Sequence, residues 1–175
     1  MAVKEILLLG NPVLRQQCNR VTSFGDPEIS RTIADLRDTL GNFRKKNGFG
    51  RGIAGPQIGE TLRIIFINID RPFALINPKI TKRSRTMMTL WDDCFSFPDI
   101  LARVKRNVKV TVSYQDEHGK PKILEAEDGL SELLQHEIDH LDGILAIDRA
   151  IDTKHIILRS EYNKMTEMNK QSHPL

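Results

Sequence analysis

Two histidines four residues apart constrain the fold of this chain more than any other feature of its sequence. From about Gly129 the apolar residues recur at three- and four-residue steps, which predicts a helix that carries His136 and His140. Residues at i and i+4 lie on one helix face, so both imidazoles point to one position, at the spacing of two metal ligands. Glu137 lies beside that position, where a general base for a water at the metal belongs. The sequence therefore predicts a metal-binding helix, and its apolar opposite face predicts that the helix is buried.

A catalytic site of this kind requires a third protein ligand and leaves a fourth position for water. Cys94 is the best candidate, because the chain has only two cysteines, Cys18 and Cys94, which form no disulfide framework. A lone cysteine is more often a small core residue, and Cys18 keeps that interpretation. The pair of histidines also occurs by chance on surface helices, so the residues alone leave both interpretations open. The other histidines, His118, His155 and His173, are expected to be solvated.

Length and composition indicate a single domain. With 175 residues, 39% of them hydrophobic, the chain can bury one core, and we expect one domain over 1–175 with a loose tail at 168–175. Near the N-terminus the apolar run Ile6 to Leu9 is followed at once by Gly10-Asn11-Pro12, which excludes a signal peptide or membrane span there. Two unpaired cysteines favour a reducing compartment, so we expect a cytoplasmic location without membrane contact.

The charge of the chain is mildly basic, with a formal net charge of +3. The densest positive cluster consists of Lys79, Lys82, Arg83 and Arg85, and no aromatic residues interleave with it. Such a run is usually a solvated face, so we expect no direct nucleic-acid recognition, while a transient ribosome contact stays open.

The hydrophobic pattern predicts an α+β fold, with short antiparallel strands packed around the central metal-binding helix and helices at both ends. A first helix is predicted from Asp26-Pro27 to Gly48, and a final one from Asp152 to about Met168. The predicted strands are Leu62 to Ile69, Phe73 to Ile76 closed by Asn77-Pro78, Val108 to Tyr114, and Lys122 to Ala126 after a turn at Asp116 to Gly119.

Three segments of the chain together resemble the signature motifs of the peptide deformylase family. The glycine-dense Gly50–Gln57, then Asp92–Ser96, then Gln135–His140 occur in the family's order and separation. The opening Ile6 to Val21 is also similar to the start of that family. The resemblance implies a peptide deformylase-like fold with a C-terminal helix. It also implies one divalent metal ion on Cys94, His136 and His140, namely Fe(II) in the cell, replaceable by nickel, cobalt or, less productively, zinc.

The same resemblance implies an activity, namely hydrolysis of the N-formyl group from the N-terminal methionine of nascent polypeptides, an early step of N-terminal processing in protein biosynthesis. In this hydrolase Glu137 takes the proton of the attacking water and passes it to the leaving amine. The side-chain amide of Gln57 and the backbone N–H of Phe95 meet the oxyanion. Gly52 lies along the substrate backbone, and Arg51 and Asp93 are expected beside the substrate.

The chain departs from the family pattern near the substrate and not at the metal ligands. Arg51 replaces an aliphatic residue and Gly129 replaces a leucine or similar residue in the pocket for the first side chain, which suggests a polar pocket. Asp92 and Asp93 replace glutamate and glycine, so a flexible backbone position carries a charged side chain; aspartate can adopt left-handed geometry there, at some cost. One hypothesis is an altered side-chain preference; the alternative is that Arg51 pairs with Glu132 or Asp93 at little cost in specificity.

Two other functions are consistent with parts of the sequence. A zinc peptidase with the same helix motif would recruit a downstream carboxylate such as Glu161 instead of Cys94. A catalytically quiet module would keep the metal as structure and use the cleft to bind a peptide, although its Glu137 and Gln57 are intact.

Overall fold

The first helix, α1 (Pro27–Asn47), forms where the sequence predicts it. The computed structural model describes residues 2–172, with side chains for residues 2–167. Asp26 caps the helix, since its side chain accepts a hydrogen bond of 2.9 Å from the backbone N–H of Glu28, and Gly48 ends it with a φ of 78°. The buried stripe that packs α1 onto the rest of the molecule consists of Ile29, Ile33, Leu36 and Leu40.

Within residues 2–172, eight strands form two antiparallel sheets, which confirms the predicted fold class. A five-stranded sheet has the order β1-β2-β3-β6-β7, and a three-stranded sheet has the order β4-β5-β8. The second long helix, α2, comes directly after β7, and α3 is the C-terminal helix. The bounds are β1 Gly52–Ala54, β2 Ile64–Asn68, β3 Pro72–Arg83, β4 Met87–Asp93, β5 Ile100–Asn107, β6 Lys109–Gln115, β7 Pro121–Glu127, α2 Asp128–Leu141, β8 Ile156–Leu158 and α3 Arg159–Ser172.

The helix α2 lies at the centre of the fold, as predicted. Alternate residues of β2 point to opposite faces of the larger sheet, so Ile64 and Phe66 contact the core beneath α1 while Ile65 and Ile67 contact α2. Every residue from Ser131 to Leu141 is buried, apolar and polar residues alike. Each buried leucine or isoleucine contributes roughly 1.5–3 kcal/mol to folding. The polar residues of α2 are therefore held inside the protein by a well-packed helix.

Strand β3 continues beyond the point where the sequence predicted its end. The pairing with β6 shifts register between Ile76 and Lys79, and the strand then runs on to Arg83. Asn77 occupies this bulge with a φ of 52°, and its side chain bonds both the N–H and the carbonyl of Val21 at 2.9 and 2.8 Å. A bulge accommodates a proline without ending a strand, so the prediction that Asn77-Pro78 closes the strand is wrong.

The C-terminal helix begins later than predicted. Asp152 caps only a short turn over Thr153–His155, β8 follows, and α3 begins at Arg159. Strand β8 pairs with β5, and this long-range pairing overrides the helical spacing of the local sequence. The loose tail at 168–175 stays a prediction, since residues 173–175 and the side chains of 168–172 lie outside the described part, as does His173.

The exposure of the basic cluster and the burial of Cys18 agree with the predictions from the sequence. The basic cluster of Lys79, Lys82, Arg83 and Arg85 is exposed, and so is His118. Cys18 belongs to the core under α2, and burial raises the pKa of its thiol to about 11. Between residues 2 and 172 no helix combines the length and the apolar character that crossing a bilayer requires.

Candidate metal centre

Three buried side chains converge on one point at the middle of α2. The Nε2 atoms of His136 and His140 are 3.2 Å apart, and the Sγ of Cys94 is 3.2 Å from the Nε2 of His140. Cys94 comes directly after β4, so the small sheet delivers the thiol to the helix. All three predicted ligands are brought together, with donor atoms that lie within 4.8 Å of one another.

This donor set fits a divalent metal ion. Two ligands each about 2 Å from a tetrahedral centre are about 3.3 Å apart, which is close to the observed separations. Nδ1 of His136 lies 2.8 Å from a carboxylate oxygen of Asp92, so Nδ1 carries a proton and Nε2 is the nitrogen that faces the other two ligands. Burial, together with His136, holds the pKa of His140 well below its usual value, so its imidazole is neutral. Burial opposes the charge on His136, but the Asp92 carboxylate outweighs it and raises the pKa of that imidazole well above its usual value, so a metal ion would displace a proton from its Nε2. Two imidazoles and one thiolate are ligands that iron and zinc accept.

Glu137 lies beside the metal ligands, close to strand β1. Burial raises the pKa of its carboxyl group to about 7, and among the described residues its Oε2 atom has no hydrogen-bond partner. Gly52 lies against it, since a Cβ added there would be 2.8 Å from Oε1 of Glu137 and 3.1 Å from Leu133. Glycine at position 52 therefore leaves the space that the Glu137 carboxylate occupies beside β1. A carboxyl group that titrates near neutral pH is suited to accept and return a proton.

Gln57 and Phe95 lie next to Cys94, the ligand that does not come from α2. The Oε1 of Gln57 accepts a hydrogen bond of 2.9 Å from the backbone N–H of Ala54, which directs its Nε2 towards Cys94 Sγ at 3.5 Å and Ser96 Oγ at 3.4 Å. Phe95 follows Cys94 directly, and its ring stacks on Phe43 with centroids 3.9 Å apart. The amide donor of Gln57 thus points at the metal position.

A buried ionic network supports the ligands from behind. Asp92, which holds His136, also accepts a hydrogen bond of 3.0 Å from Arg106, and Arg106 donates to Asp139 at 2.5 Å. Burial alone would raise the pKa of Asp92, but His136 and Arg106 outweigh it and hold that pKa at about 2. Arg149 closes the network with a bond of 2.8 Å to Asp139. Asp92 is therefore an anion that fixes the orientation and the tautomer of His136.

Replacing Asp92 by asparagine is expected to weaken metal binding by about 10- to 100-fold. The amide keeps the shape of the carboxylate but loses the charge that orients His136 and increases its basicity. The measurement is anaerobic competition between the protein and a chelator of known affinity for Co(II). Asp93→Asn is the matched control, because Asp93 is exposed and lies outside this network. Equal Co(II) affinities of the two variants would contradict the role of Asp92.

Arg51 and Asp93, the two residues expected beside the substrate, each form an ion pair with a different residue. Arg51 pairs with Glu132 at 2.5 Å, as the second of the alternatives predicted, and not with Asp93. Asp93 instead pairs with Arg159 of α3 at 2.6 Å. Asp93 does not need left-handed geometry, since this residue ends strand β4 and has no positive φ. Extended backbone at this position accommodates aspartate without strain.

The roles of Arg106, Asp139 and Arg149 in this network are not among the predictions from the sequence. A signal for Arg106 was present, because the alternation along β5 places it on the same face as Ala102 and Val104, where a charged residue needs buried partners. The carboxylate considered as another third ligand, Glu161, pairs with Lys164 at 2.6 Å on α3. Among the described residues it does not belong to any group of potential ligands around the histidines.

Comparisons with known proteins agree in family and fold. The family model of polypeptide deformylase matches residues 3–155. The chain is 43% identical over 150 residues to a peptide deformylase of Heliobacterium modesticaldum, covering 85% of this chain and 95% of that relative. It is 34% identical over 171 residues to a peptide deformylase of Brucella suis, covering 94% of each. Its fold is similar to the crystal structure of a peptide deformylase from Legionella pneumophila, with a TM-score of 0.80, 31% identity and 99% of both chains covered.

Proposed function

This chain belongs to the polypeptide deformylase family, and we propose that it removes the N-formyl group from nascent polypeptides with Cys94, His136 and His140 as metal ligands and Glu137 as the proton carrier. The observation that carries the proposal is the convergence of these ligands, within 4.8 Å, beside a buried carboxyl group whose pKa is raised to about 7. The products are formate and a free α-amine.

Each residue of the cleft has a proposed part in the reaction. When bound, the metal ion polarises the formyl carbonyl and lowers the pKa of a water molecule. Glu137 accepts a proton of the attacking water at its carboxylate and returns it to the leaving nitrogen. The Nε2 of Gln57 and the backbone N–H of Phe95 donate to the oxygen that becomes negative. Gly52 leaves room for the peptide backbone beside Glu137.

We propose Fe(II) as the metal in the cell, with nickel, cobalt or zinc as replacements. A thiolate and two imidazoles suit iron as well as zinc, so the support for iron is the family resemblance. Ferrous iron beside a thiolate is sensitive to oxygen, and the protein is therefore to be purified without air. We expect metal analysis of such a preparation to find iron as the major metal.

The proposed partners follow from the reaction. N-formylated peptide ends are the substrate, and a transient contact with the ribosome would bring the enzyme to chains as they emerge. The location that we propose is the cytoplasm, where the two unpaired cysteines stay reduced. Neither a membrane nor a nucleic acid is needed for this reaction.

The test is anaerobic turnover of formyl-methionyl peptides by the iron-loaded protein, followed by formate release and by appearance of the free amine. We expect hydrolysis that stops when the metal is removed by a chelator and returns when Fe(II) is added. Absence of hydrolysis in protein with one equivalent of metal would favour the catalytically quiet peptide-binding module. Cleavage of unformylated peptides would instead favour a peptidase.

A further inference from the structure

A cavity of about 170 Å³ opens beside Glu137. Strand β1 and the segment before it line the cavity on one side and α2 lines it on the other, and Asp93 and Phe95 also contribute to the lining. The residues that matter for its chemistry are Arg51, Gly52, Leu133 and Glu137. Leu133 is buried and apolar, while Arg51 brings a guanidinium group to the same cavity. The cavity therefore has an apolar part and a cationic hydrogen-bond donor.

The side chain of the formylated residue, the first residue of the substrate, enters this cavity. This inference rests on the proposed function. The formyl carbonyl must reach the metal ligands, and the nitrogen that leaves must lie close to Glu137, which returns the proton to it. The α-carbon is bonded to that nitrogen, so the side chain that it carries lies on the same side as Glu137. A cavity lined by Glu137 is accordingly the one that receives this side chain.

The guanidinium group of Arg51 is held in place by α2. Its Nη2 donates to Glu132 at 2.5 Å and its Nη1 donates to the carbonyl oxygen of Gly129 at 2.9 Å. A Cβ added at Gly129 would lie 3.4 Å from the same Nη1, so glycine leaves space for this approach. The Glu132 side chain is only 10% exposed and that of Arg51 is 47% exposed, so the carboxylate is largely covered while the guanidinium group is accessible from the cleft. Arg51, Gly129 and Glu132 thus form one coupled contact between the segment before β1 and α2.

The remaining donors of Arg51 are available to a ligand. A guanidinium group has several N–H donors in a fixed plane and no acceptor, and two of its nitrogens are used by Gly129 and Glu132. A side chain that packs its stem on Leu133 and ends in an acceptor matches the cavity. The thioether of methionine is a weak acceptor, whereas the side-chain oxygen of glutamine is a strong one.

We propose that Arg51, held by Glu132 and Gly129, is a specificity-determining residue that favours formylated peptides whose first side chain is unbranched and ends in a hydrogen-bond acceptor. The ratio of kcat/KM for formyl-glutaminyl peptides to kcat/KM for formyl-norleucyl peptides is then higher than it would be with an entirely apolar cavity. Methionine is accepted, with its sulfur at the donor.

The test compares formyl-Gln-Ala-Lys with formyl-Nle-Ala-Lys on the wild-type protein and on the double variant Arg51→Leu/Glu132→Leu. Removing both charges avoids a buried carboxylate without a partner. We expect the ratio of kcat/KM, glutamine over norleucine, to fall about tenfold in the double variant, because a hydrogen bond to a charged donor is lost. Lys109→Leu/Glu127→Leu is the matched control, since it removes an exposed ion pair of 2.9 Å between β6 and β7.

Binding gives a second readout that does not depend on turnover. The dissociation constants of the two peptides are measured by calorimetry on metal-loaded Glu137→Gln protein, with and without the double substitution. A tenfold fall of the binding preference for glutamine supports the role of Arg51, even if the wild-type protein does not hydrolyse either peptide. Hydrolysis of both peptides with ratios unchanged by the double substitution overturns this inference and leaves the proposed function intact.

Discussion

Replacing Glu137 by glutamine is expected to lower kcat for formyl-peptide hydrolysis by about 10²- to 10⁴-fold, with the metal still bound. The amide has the shape of the carboxyl group and fits beside Gly52, but it does not accept a proton from water or return one to the amine. Burial raises the pKa of the Glu137 carboxyl to about 7, so the wild-type group exchanges protons readily near neutral pH. The measurement is formate release under saturating formyl-methionyl peptide, together with the metal content of each preparation.

The control for this substitution is Glu127→Gln, which makes the same change at an exposed residue just before α2. We expect its kcat to equal that of the wild-type protein. A fall of less than tenfold in Glu137→Gln, at full metal occupancy, would assign the proton transfer to another group. Loss of metal from this variant would instead show that Glu137 contributes to binding of the ion.

Replacing Arg106 by leucine is expected to lower the free energy of unfolding by about 3–5 kcal/mol. The guanidinium group is 4% exposed and pairs with Asp92 at 3.0 Å and with Asp139 at 2.5 Å. Without it, two desolvated carboxylates lose their shared cation, although each keeps one other partner. Urea denaturation of the chelator-treated proteins measures the change without a contribution from metal binding.

Arg149→Leu is the matched control, because Arg149 binds the same Asp139 but its side chain is 45% exposed. Solvent screens this outer pair, so the expected loss is at most about 1 kcal/mol. Equal losses in the two variants would mean that burial of Arg106 does not add to the strength of the network. The comparison therefore separates the buried arginine from the exposed one at a single shared carboxylate.

Local sequence was sufficient for the elements that carry their own signals. Helix α1 has a capping aspartate, a proline at its first position and a glycine at its end, and the structure places its bounds there. The spacing of His136 and His140 determines that both imidazoles share one face of α2, whatever surrounds the helix. Strands β6 and β7 also followed from alternation and a turn. The start of α3 did not, because the pairing of β8 with β5 competes with helical spacing and is not local.

The sequence by itself determined the helix that carries His136, Glu137 and His140 on its buried side and, through three motifs in register, the family. Only the tertiary structure decided what stands behind and beside that site: that Arg106 joins Asp92 to Asp139, and that Arg51 reaches Glu132 across 81 positions of the chain. The physical reason is that helix periodicity is set by neighbouring residues, whereas a buried ion pair depends on which distant strand packs against the helix. Charged residues in a sequence do not indicate their partners until packing removes the water between them.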